Sequence, residues 1–405
     1  MFLCTIKKDI KMGTSESNNL LRNKKIAIVG GGPGGLTLAR LLQRKGADVK
    51  VYERDFSKEA RVQGAIVDLH FDSGLKVIEE AGLMDAFKAS YMPGADKYRM
   101  VDKDGNVYID EHDQSVVADF GDEHFRPEID RGALRNVLLD ALLPGTVVWD
   151  SQFVSMEEVN TVWTLRFKNG TTATADIVIG SDGHRSKIRP YVTSIEALYS
   201  GATIIQGEID DPEKDCPDMY ALLDKANLIA MGIGKTIAAQ PRGDGGLTFY
   251  AASLYPENWI ETGGVDFSNS EEVCAYLIDY YKEWNPVFYT LFKACTNFVP
   301  RPLNYFPLDQ HWDAKPNITL IGDAAHLMPP SGEGVNTAML DALDLCACLN
   351  NSEYHDLQTA IAAYEQRMRA RAVVLGKEAL DGIKGFASPS EESVAELVQM
   401  LSQNE

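Results

Sequence analysis

Residues 24–53 read KKIAIVGGGPGGLTLARLLQRKGADVKVYE, and this stretch decides the fold. An apolar run rich in β-branched residues is followed by a glycine turn and then by a helical pattern. A second apolar run ends at Glu53. Gly30, Gly32 and Gly35 have the G-x-G-x-x-G spacing, which permits a tight turn, close approach of a pyrophosphate to the backbone, and close packing of the helix on the strand. The stretch therefore predicts a βαβ unit.

The same stretch predicts a dinucleotide site. A helix that starts after Gly32 would hold a pyrophosphate at its N-terminus, where free amides and the helix dipole favour an anion. Glu53 lies about 20 residues beyond the glycines, where an acidic side chain accepts a hydrogen bond from a ribose hydroxyl. A structural βαβ turn without a ligand is the alternative, and the motif alone does not distinguish FAD from NAD.

Bulk composition narrows the class of protein. The chain has 405 residues, of which 45% are hydrophobic, and a net charge of −20. This length suggests roughly two to three domains, and the charge disfavours nucleic acid and anionic membranes as partners. We find no apolar run of membrane-spanning length and no signal peptide, so we expect a cytoplasmic protein with a disordered leader at 1–21. The spacing of the six cysteines and seven histidines predicts neither disulfides nor a metal site.

A second strand-and-turn pattern lies far along the chain. The run 175–179 enters a polar turn that contains Asp182, and residues 193–302 then alternate in the manner of a largely antiparallel sheet. Residues 318–321 again show the pattern of a buried apolar strand, and this strand is followed by Gly322 and Asp323. An Asp at a strand end can accept from a flavin ribityl hydroxyl. The amides of the next helix, which begins near Gly334, Val335 and Asn336, can face the pyrimidine end of the flavin. This second turn favours FAD.

Several arginines suit a polyanionic cofactor. Asp130 caps a helix predicted within 127–139, and Arg131 and Arg135 share one face of it. A solvated helix face explains this pair equally well. Arg54 and Arg61 follow the first motif and could accept the extra phosphate of NADPH, although either is as readily a surface charge.

Taken in order, the motifs resemble the aromatic-hydroxylase class, class A, of FAD-dependent monooxygenases. They are the glycine turn with Glu53, Asp182-Gly183 with the basic run to Arg189, and Gly322-Asp323, and they span about 300 residues. Runs at 52–55, 59–61, 67–70, 127–131 and 322–330 are most similar to the tetracycline-inactivating flavin monooxygenases. The resemblance implies FAD contacts at Glu53, Asp68, Arg131 and Asp323, an NADPH contact at Arg61, and a long C-terminal helix that bridges two domains.

The resemblance also implies which residues contact the substrate. Gln206 matches a polar residue that contacts the drug in the resistance enzymes. Asn227 and Thr248 stand where those enzymes carry an arginine and a histidine, and Ala238 stands where they carry an aromatic residue. Selectivity rests on a few such contacts. The substrate is therefore left open between tetracycline, inactivated by 11a-hydroxylation, and another aromatic or polyketide molecule.

We therefore expect an α/β protein with a Rossmann-like FAD-binding domain, an inserted, largely antiparallel β-sheet substrate domain, and a bridging helix. The expected boundaries are 22–80, 110–192 and 303–356 for the FAD domain, 81–109 and 193–302 for the substrate domain, 357–386 for the helix and 387–405 for a tail. We expect a monomer that hydroxylates an electron-rich phenol, enol or polycyclic small molecule with FAD, NADPH and O2. No catalytic side chain is expected, and His326 is expected to be structural. A flavin-dependent epoxidase or reductase, a plain dehydrogenase and a non-catalytic sensor are the alternatives.

Overall fold

The computed structural model of the protein describes residues 20–60, 66–113 and 119–387. Arg61, residues 1–19 of the expected leader and the tail beyond residue 387 lie outside these ranges. Leu21, which we assigned to the leader, is only 4% exposed and packs in the core of the first sheet. The folded chain therefore includes this residue.

The helices and strands follow in chain order. The strands are β1 (Lys25–Val29), β2 (Asp48–Tyr52), β3 (Ile66–Asp68), β4 (Tyr98–Asp102), β5 (Val107–Asp110), β6 (Glu128–Asp130), β7 (Val147–Val148), β8 (Phe153–Val159), β9 (Val162–Phe167), β10 (Thr172–Ala175), β11 (Ile177–Gly180), β12 (Leu198–Ile209), β13 (Asn227–Gly232), β14 (Lys235–Pro241), β15 (Leu247–Leu254), β16 (Phe298–Tyr305) and β17 (Ile318–Leu320). The α-helices are α1 (Pro33–Arg44), α2 (Lys76–Glu80), α3 (Met84–Lys88), α4 (Arg131–Asp140), α5 (Pro212–Asp215), α6 (Pro217–Leu223), α7 (Trp259–Thr262), α8 (Ser270–Tyr280), α9 (Val287–Ala294), α10 (Asp323–His326), α11 (Gly334–Leu349) and α12 (Leu357–Ala387).

A parallel sheet carries the glycine turn. Its strand order is β17-β11-β1-β2-β7, and every neighbouring pair in it is parallel. β1, β11 and β17 are apolar and almost wholly buried, as expected of parallel strands covered on both faces. Because the strands are parallel, the turns at Gly30, Glu53 and Gly322 all lie at one edge of the sheet, where ligands of such folds bind.

A seven-stranded sheet forms the second layer, in the order β16-β12-β15-β14-β13-β4-β5. All its pairs are antiparallel except β13 with β4. Ile205, Ile237 and Phe249 are buried on one face, in a core that includes side chains from α6, α8 and α9. Alternate residues such as Gln206 and Tyr250 are half-buried on the other face, because side chains alternate along a strand.

Short ribbons and hairpins connect these layers. β3 pairs with β6 as an antiparallel ribbon in which Asp68 lies opposite Glu128. Two hairpins turn at glycines with positive φ, at Gly105 between β4 and β5 and at Gly170 between β9 and β10. A π-helical turn at Phe71–Leu75 continues directly into α2.

The helix α12 touches both layers. It packs against α11 and also contacts β12, β14 and β15. Tyr364 and Met368 are fully buried, and the Tyr364 hydroxyl donates to Leu320 O at 2.8 Å. Within the described ranges, no helix is both long and apolar enough to cross a bilayer.

Candidate functional site

The glycine turn forms an open helix N-terminus. Gly30 has φ +108°, and a Cβ there would lie 2.2 Å from Ser181 O. A Cβ on Gly35 would lie 2.2 Å from Gly30 O, so both positions require glycine. Gly32 caps α1 without a side-chain bond, and a Cβ there would meet nothing within 4 Å. Gly30 and Gly35 therefore close the turn, and Gly32 leaves room in front of the helix.

Glu53 lies at the end of β2, beside this turn. Its Oε2 accepts from Gly31 N at 2.6 Å and its Oε1 from Asp55 N at 3.0 Å, and the residue is 5% exposed. These bonds fix the carboxylate against the glycine turn, where the sequence placed a ribose ligand. Arg54, the next residue, is exposed.

Gly322 and Asp323 form a second turn at the same sheet edge. Gly322 has φ +60°, Asp323 is exposed at the start of α10, and Gly322 N donates to Asp341 Oδ2 at 2.8 Å. His326 also contacts Asp341 Oδ2, at 2.5 Å, and Arg371 donates to the other oxygen at 2.8 Å. His326 is therefore part of a buried network, the structural role expected of it.

The electrostatics of this network agree with its geometry. Burial would raise the pKa of Asp341, but His326 and Arg371 outweigh it and hold that pKa below its usual range. Burial would lower the pKa of His326, but Asp341 raises it above its usual range. The network therefore favours a charged pair that joins α10, α11 and α12.

A second open helix N-terminus lies beside the first. α11 begins at Gly334 without a side-chain cap, and a Cβ on Gly334 would meet nothing within 4 Å. A Cβ on Gly34 of α1 would lie 2.9 Å from Ala338 O, so the two helices pack closely near their first turns. Val335 and Asn336 are almost wholly buried in the first turn of α11.

Asn336 joins α11 to the ribbon. Its Oδ1 accepts from His70 N at 2.9 Å and Gly74 N at 3.2 Å, and its Nδ2 donates to Asp68 O at 3.0 Å. The His70 ring lies between Asp68 Oδ2 at 2.8 Å and Glu333 Oε1 at 3.2 Å. Burial would lower the pKa of His70, but the two carboxylates raise it to about 9. Asp68 is thereby held at the α11 N-terminus.

The two arginines of α4, which the sequence suggested as a pair on one helix face, differ in burial and in partners. Arg131 is exposed, whereas Arg135 is 6% exposed and donates to Asp55 Oδ2 at 3.1 Å and Lys58 O at 2.9 Å. Arg135 is thus bound to the loop after Glu53. Residues 131 and 135 are one helical turn apart, but the loop packs only over the second of them.

The turn after β11 lies against the glycine turn. Asp182 Oδ2 accepts from Lys187 N at 2.7 Å, and burial raises the pKa of this side chain. Arg189 follows, donates to Ala324 O and Ala325 O of α10, and lies 3.4 Å from the centroid of the Phe306 ring. The motif around Asp182 therefore supports the helix that begins at Asp323.

A basic cluster that no local sequence pattern indicates lies around His184, which Asp323 also approaches. Partial burial and the charges of Arg185, Arg301 and Arg54 lower the pKa of His184, while Asp323 opposes them. Arg301 lies on β16, far along the chain, and only the fold brings it here. No local pattern marks it.

The expected substrate residues share the open face of the seven-stranded sheet but differ in exposure. Gln206 is half-buried and bonded to Arg301 and Glu208. Thr248 and Asn227 are each 1% exposed. The register aligns Glu208, Thr248 and Gln240 in a polar row across three strands, and Asn227 continues it on β13. Gln206 and Asn227 stand three strands apart, roughly 14 Å, so they do not form one cluster.

These residues fit FAD. Two uncapped helix N-termini, both with open space before them, suit a long cofactor with an anionic middle and an electron-accepting ring. The buried carboxylate of Glu53 and the exposed Asp323 supply hydroxyl acceptors at two separate strand ends.

Comparison with known proteins points the same way. Residues 23–203 and 310–377 match the FAD binding domain family. The monooxygenase asqM of Emericella nidulans is 26% identical, over 86% of this chain and 92% of that protein. Klebsiella pneumoniae HpxO complexed with FAD and uric acid has a TM-score of 0.74 at 21% identity, covering 96% of this chain and 95% of that one. The tetracycline destructase Tet(55) has a TM-score of 0.73 at 21% identity, covering 94% and 95%. The two structures share the fold.

Proposed function

The chain belongs to the FAD binding domain family of flavin monooxygenases, and on this premise we propose that it is an NADPH-dependent hydroxylase of an electron-rich phenolic, enolic or polycyclic small molecule. The observation that carries the proposal is the meeting of two open helix N-termini, of α1 and α11, at one sheet edge. A plain dinucleotide site requires only the first of them. The second suits the ring of a flavin, where negative charge develops on reduction.

Bound FAD supplies the redox chemistry, namely hydride acceptance from NADPH and activation of O2. The protein binds and orients it. We assign the pyrophosphate to the α1 N-terminus, a ribose hydroxyl to Glu53, and a ribityl hydroxyl to Asp323. The α11 amides from Gly334 onward face the ring, and Asp68 lies beside them.

Approach of NADPH is assigned to the basic cluster around His184. Arg54, Arg185 and Arg301 concentrate positive charge at one place on a chain whose net charge is −20. Such a focus attracts a phosphate-bearing co-substrate to the site. Arg61, the other expected contact, lies outside the described residues.

The open face of the seven-stranded sheet is assigned to the substrate. Ile204, Ile229 and Ala238 are half-buried on it among polar residues, the mixture expected of a small-molecule site. Burial raises the pKa of Tyr250 on this face, and the charge of Arg131 opposes that rise, so α4 lies close to the sheet. Gln206 is the residue to which we assign selectivity, with tetracycline and other aromatic or polyketide molecules as the substrates to compare.

The proposed division of the chain follows the two sheets. The segments 22–80, 110–192 and 303–356 bind FAD, 81–109 and 193–302 bind substrate, and 357–386 bridges them. We also propose a cytoplasmic monomer, which cell fractionation and light scattering would test.

The experiment has two stages. Protein incubated with excess FAD and desalted should keep the flavin absorbance bands. It should then oxidise NADPH faster with a suitable phenol, enol or tetracycline, and mass spectrometry should find a product heavier by one oxygen atom only in air. A colourless protein, or flavoprotein that forms no oxygenated product from any of these classes, would refute the proposal.

A further inference from the structure

Glu128 is a buried carboxyl group that the site described above does not use. It is the first residue of β6 and is 3% exposed. Its Oε2 has no hydrogen-bond partner among residues 20–60, 66–113 and 119–387. A buried polar atom without a partner destabilises a protein, so native structures seldom keep one without a use.

Asn227 fixes the other oxygen of this carboxyl. Its Nδ2 donates to Glu128 Oε1 at 3.3 Å and to Ala95 O at 3.1 Å. Its own Oδ1 is buried and finds no partner in the described part of the chain. The amide therefore holds the carboxyl from one side and leaves two oxygen atoms, Glu128 Oε2 and Asn227 Oδ1, ready to accept a hydrogen bond.

Burial, and then two neighbouring carboxylates, make Glu128 hold its proton tightly. Burial raises its pKa, and Asp68 from the paired strand and Asp96 raise it further. The Asn227 bond and Arg131 oppose this rise, and the result is a pKa of about 8. A carboxyl with a pKa near neutrality is well matched to proton transfer in a reaction at neutral pH.

The position of Glu128 links the cofactor layer to the substrate sheet. On its ribbon it lies opposite Asp68, which Asn336 holds at the α11 N-terminus. Towards the sheet it binds Asn227, and Tyr98, the register partner of Asn227, projects from the same face with 37% of its surface exposed. Burial and then the charges of Asp68 and Glu128 raise the pKa of Tyr98, so its hydroxyl lies near both carboxyls.

We propose that Glu128 is the proton acceptor of the oxygenation site, and that its free Oε2, in the ionised carboxylate, receives the hydroxyl hydrogen of a phenolic or enolic substrate. Asn227 is a positioning residue, because it holds Oε1 and turns Oε2 outward. This inference rests on the proposed function, since it names the substrate group that the site takes. It also adds a catalytic side chain where the sequence analysis expected none.

The step is a simple proton transfer. The substrate O–H bond breaks, the new O–H bond forms at Glu128 Oε2, and the electron pair left on the substrate oxygen is delocalised into the ring or enol. The carbon that is to be oxygenated becomes more nucleophilic. When the product rearomatises, the hydrogen on that carbon leaves as a proton to solvent, and Glu128 returns its proton to the ring oxygen. No further reactant is required.

Ligand binding without NADPH tests the contact directly. At about pH 9, above the pKa of Glu128 and below that of an ordinary phenol, FAD-loaded wild type and Glu128→Gln are titrated with phenol and with anisole, which keeps the ring but lacks the hydroxyl hydrogen. The wild type should bind the phenol about tenfold or more tightly, the value of one hydrogen bond to a charged acceptor. In Glu128→Gln the preference should fall to within about threefold, because an amide N–H replaces the acceptor.

A matched control and a kinetic measurement complete the test. Glu157→Gln, on a 57% exposed side chain of β8, should retain the wild-type preference. With a phenol that the wild type oxygenates, Glu128→Gln should lose about a hundredfold or more in kcat and lose the pH dependence near the pKa of Glu128. Glu128→Asp keeps a carboxyl group, so its kcat should lie between those of the wild type and Glu128→Gln. It takes the place of Glu128→Gln in this test if the glutamine variant does not fold.

The outcomes separate this inference from the proposed function. Equal wild-type affinities for the two ligands, failure of the wild type to bind either, or a preference that survives in Glu128→Gln would each overturn the role of Glu128. None of these three outcomes changes the flavin spectrum or the oxygenated product, which are the tests of the proposed function. Loss of the product from the wild type itself would overturn the proposed function instead.

Discussion

Replacing Glu128 with glutamine should remove a pH dependence from the stability of the protein. The carboxyl has a pKa of about 8 in the folded protein against an ordinary value of 4.5, chiefly because it is buried beside Asp68. One pKa unit corresponds to about 1.4 kcal/mol. Ionising Glu128 inside the folded protein therefore costs at most about 5 kcal/mol.

The sign follows from where the proton resides. Between pH 4.5 and about 8 the folded protein keeps the proton and the unfolded chain releases it. The free energy of unfolding should therefore fall as pH rises, by up to about 1.4 kcal/mol per pH unit from this group, and level off above its folded pKa. Glu128→Gln cannot ionise, so its stability relative to wild type should increase across the same window and reach about 3 kcal/mol near neutral pH.

Urea unfolding at a series of pH values, with FAD at one saturating concentration, measures this difference. Subtracting the variant from the wild type removes the contributions of other titrating groups that both proteins share. Glu157→Gln, on the protein surface, should follow the wild-type curve. If the free energies of wild type and Glu128→Gln stay parallel from acid to neutral pH, the carboxyl is not buried as described and the reasoning fails.

Three further changes test the cofactor site. Gly35→Ala would place a Cβ 2.2 Å from Gly30 O and should abolish flavin retention after desalting. The control is Gly382→Ala in α12, where a Cβ would meet nothing within 4 Å, and this variant should be neutral or up to about 1 kcal/mol more stable in urea. Equal flavin content in the two variants would contradict the tight turn. Asp323→Ala should lose flavin absorbance without a change in the urea midpoint, and a variant that remains fully yellow would show that the ribityl contact lies elsewhere. Asp341→Asn leaves the buried His326 and the half-buried Arg371 short of their counter-charge and should lose about 3–5 kcal/mol in urea unfolding. A loss below about 1 kcal/mol would mean that the network is not ionised.

The cofactor turn was predictable because its signals are local. The apolar run, the spacing of Gly30, Gly32 and Gly35, and the acid that ends β2 all lie within one βαβ unit, and each residue type is required by backbone geometry there. Gly322 and Asp323 repeat this logic at a second strand end. The fold class followed from these two turns and the alternating block between them.

The partners of individual side chains were not predictable, because they depend on long-range packing. Arg135 looked like a cofactor ligand beside Arg131, and only the loop after Glu53 shows why it is buried. Asn336 binds Asp68 from 268 positions away. Glu128 left no trace, since β6 reads Glu-Ile-Asp and only Ile129 in it is apolar, and its unusual environment arises from the distant Asn227.

The strand order of the two sheets has a consequence for biosynthesis. A ribosome releases β1, β2 and β11 early, but β17, the edge strand beside β11, emerges only after every strand of the seven-stranded sheet. β4 likewise waits more than a hundred residues for β13, its second neighbour in that sheet besides β5. Unpaired edges of this kind expose a nascent chain to wrong association. The pocket for the flavin is therefore completed only when α11 leaves the exit tunnel, after every strand of both sheets has been made.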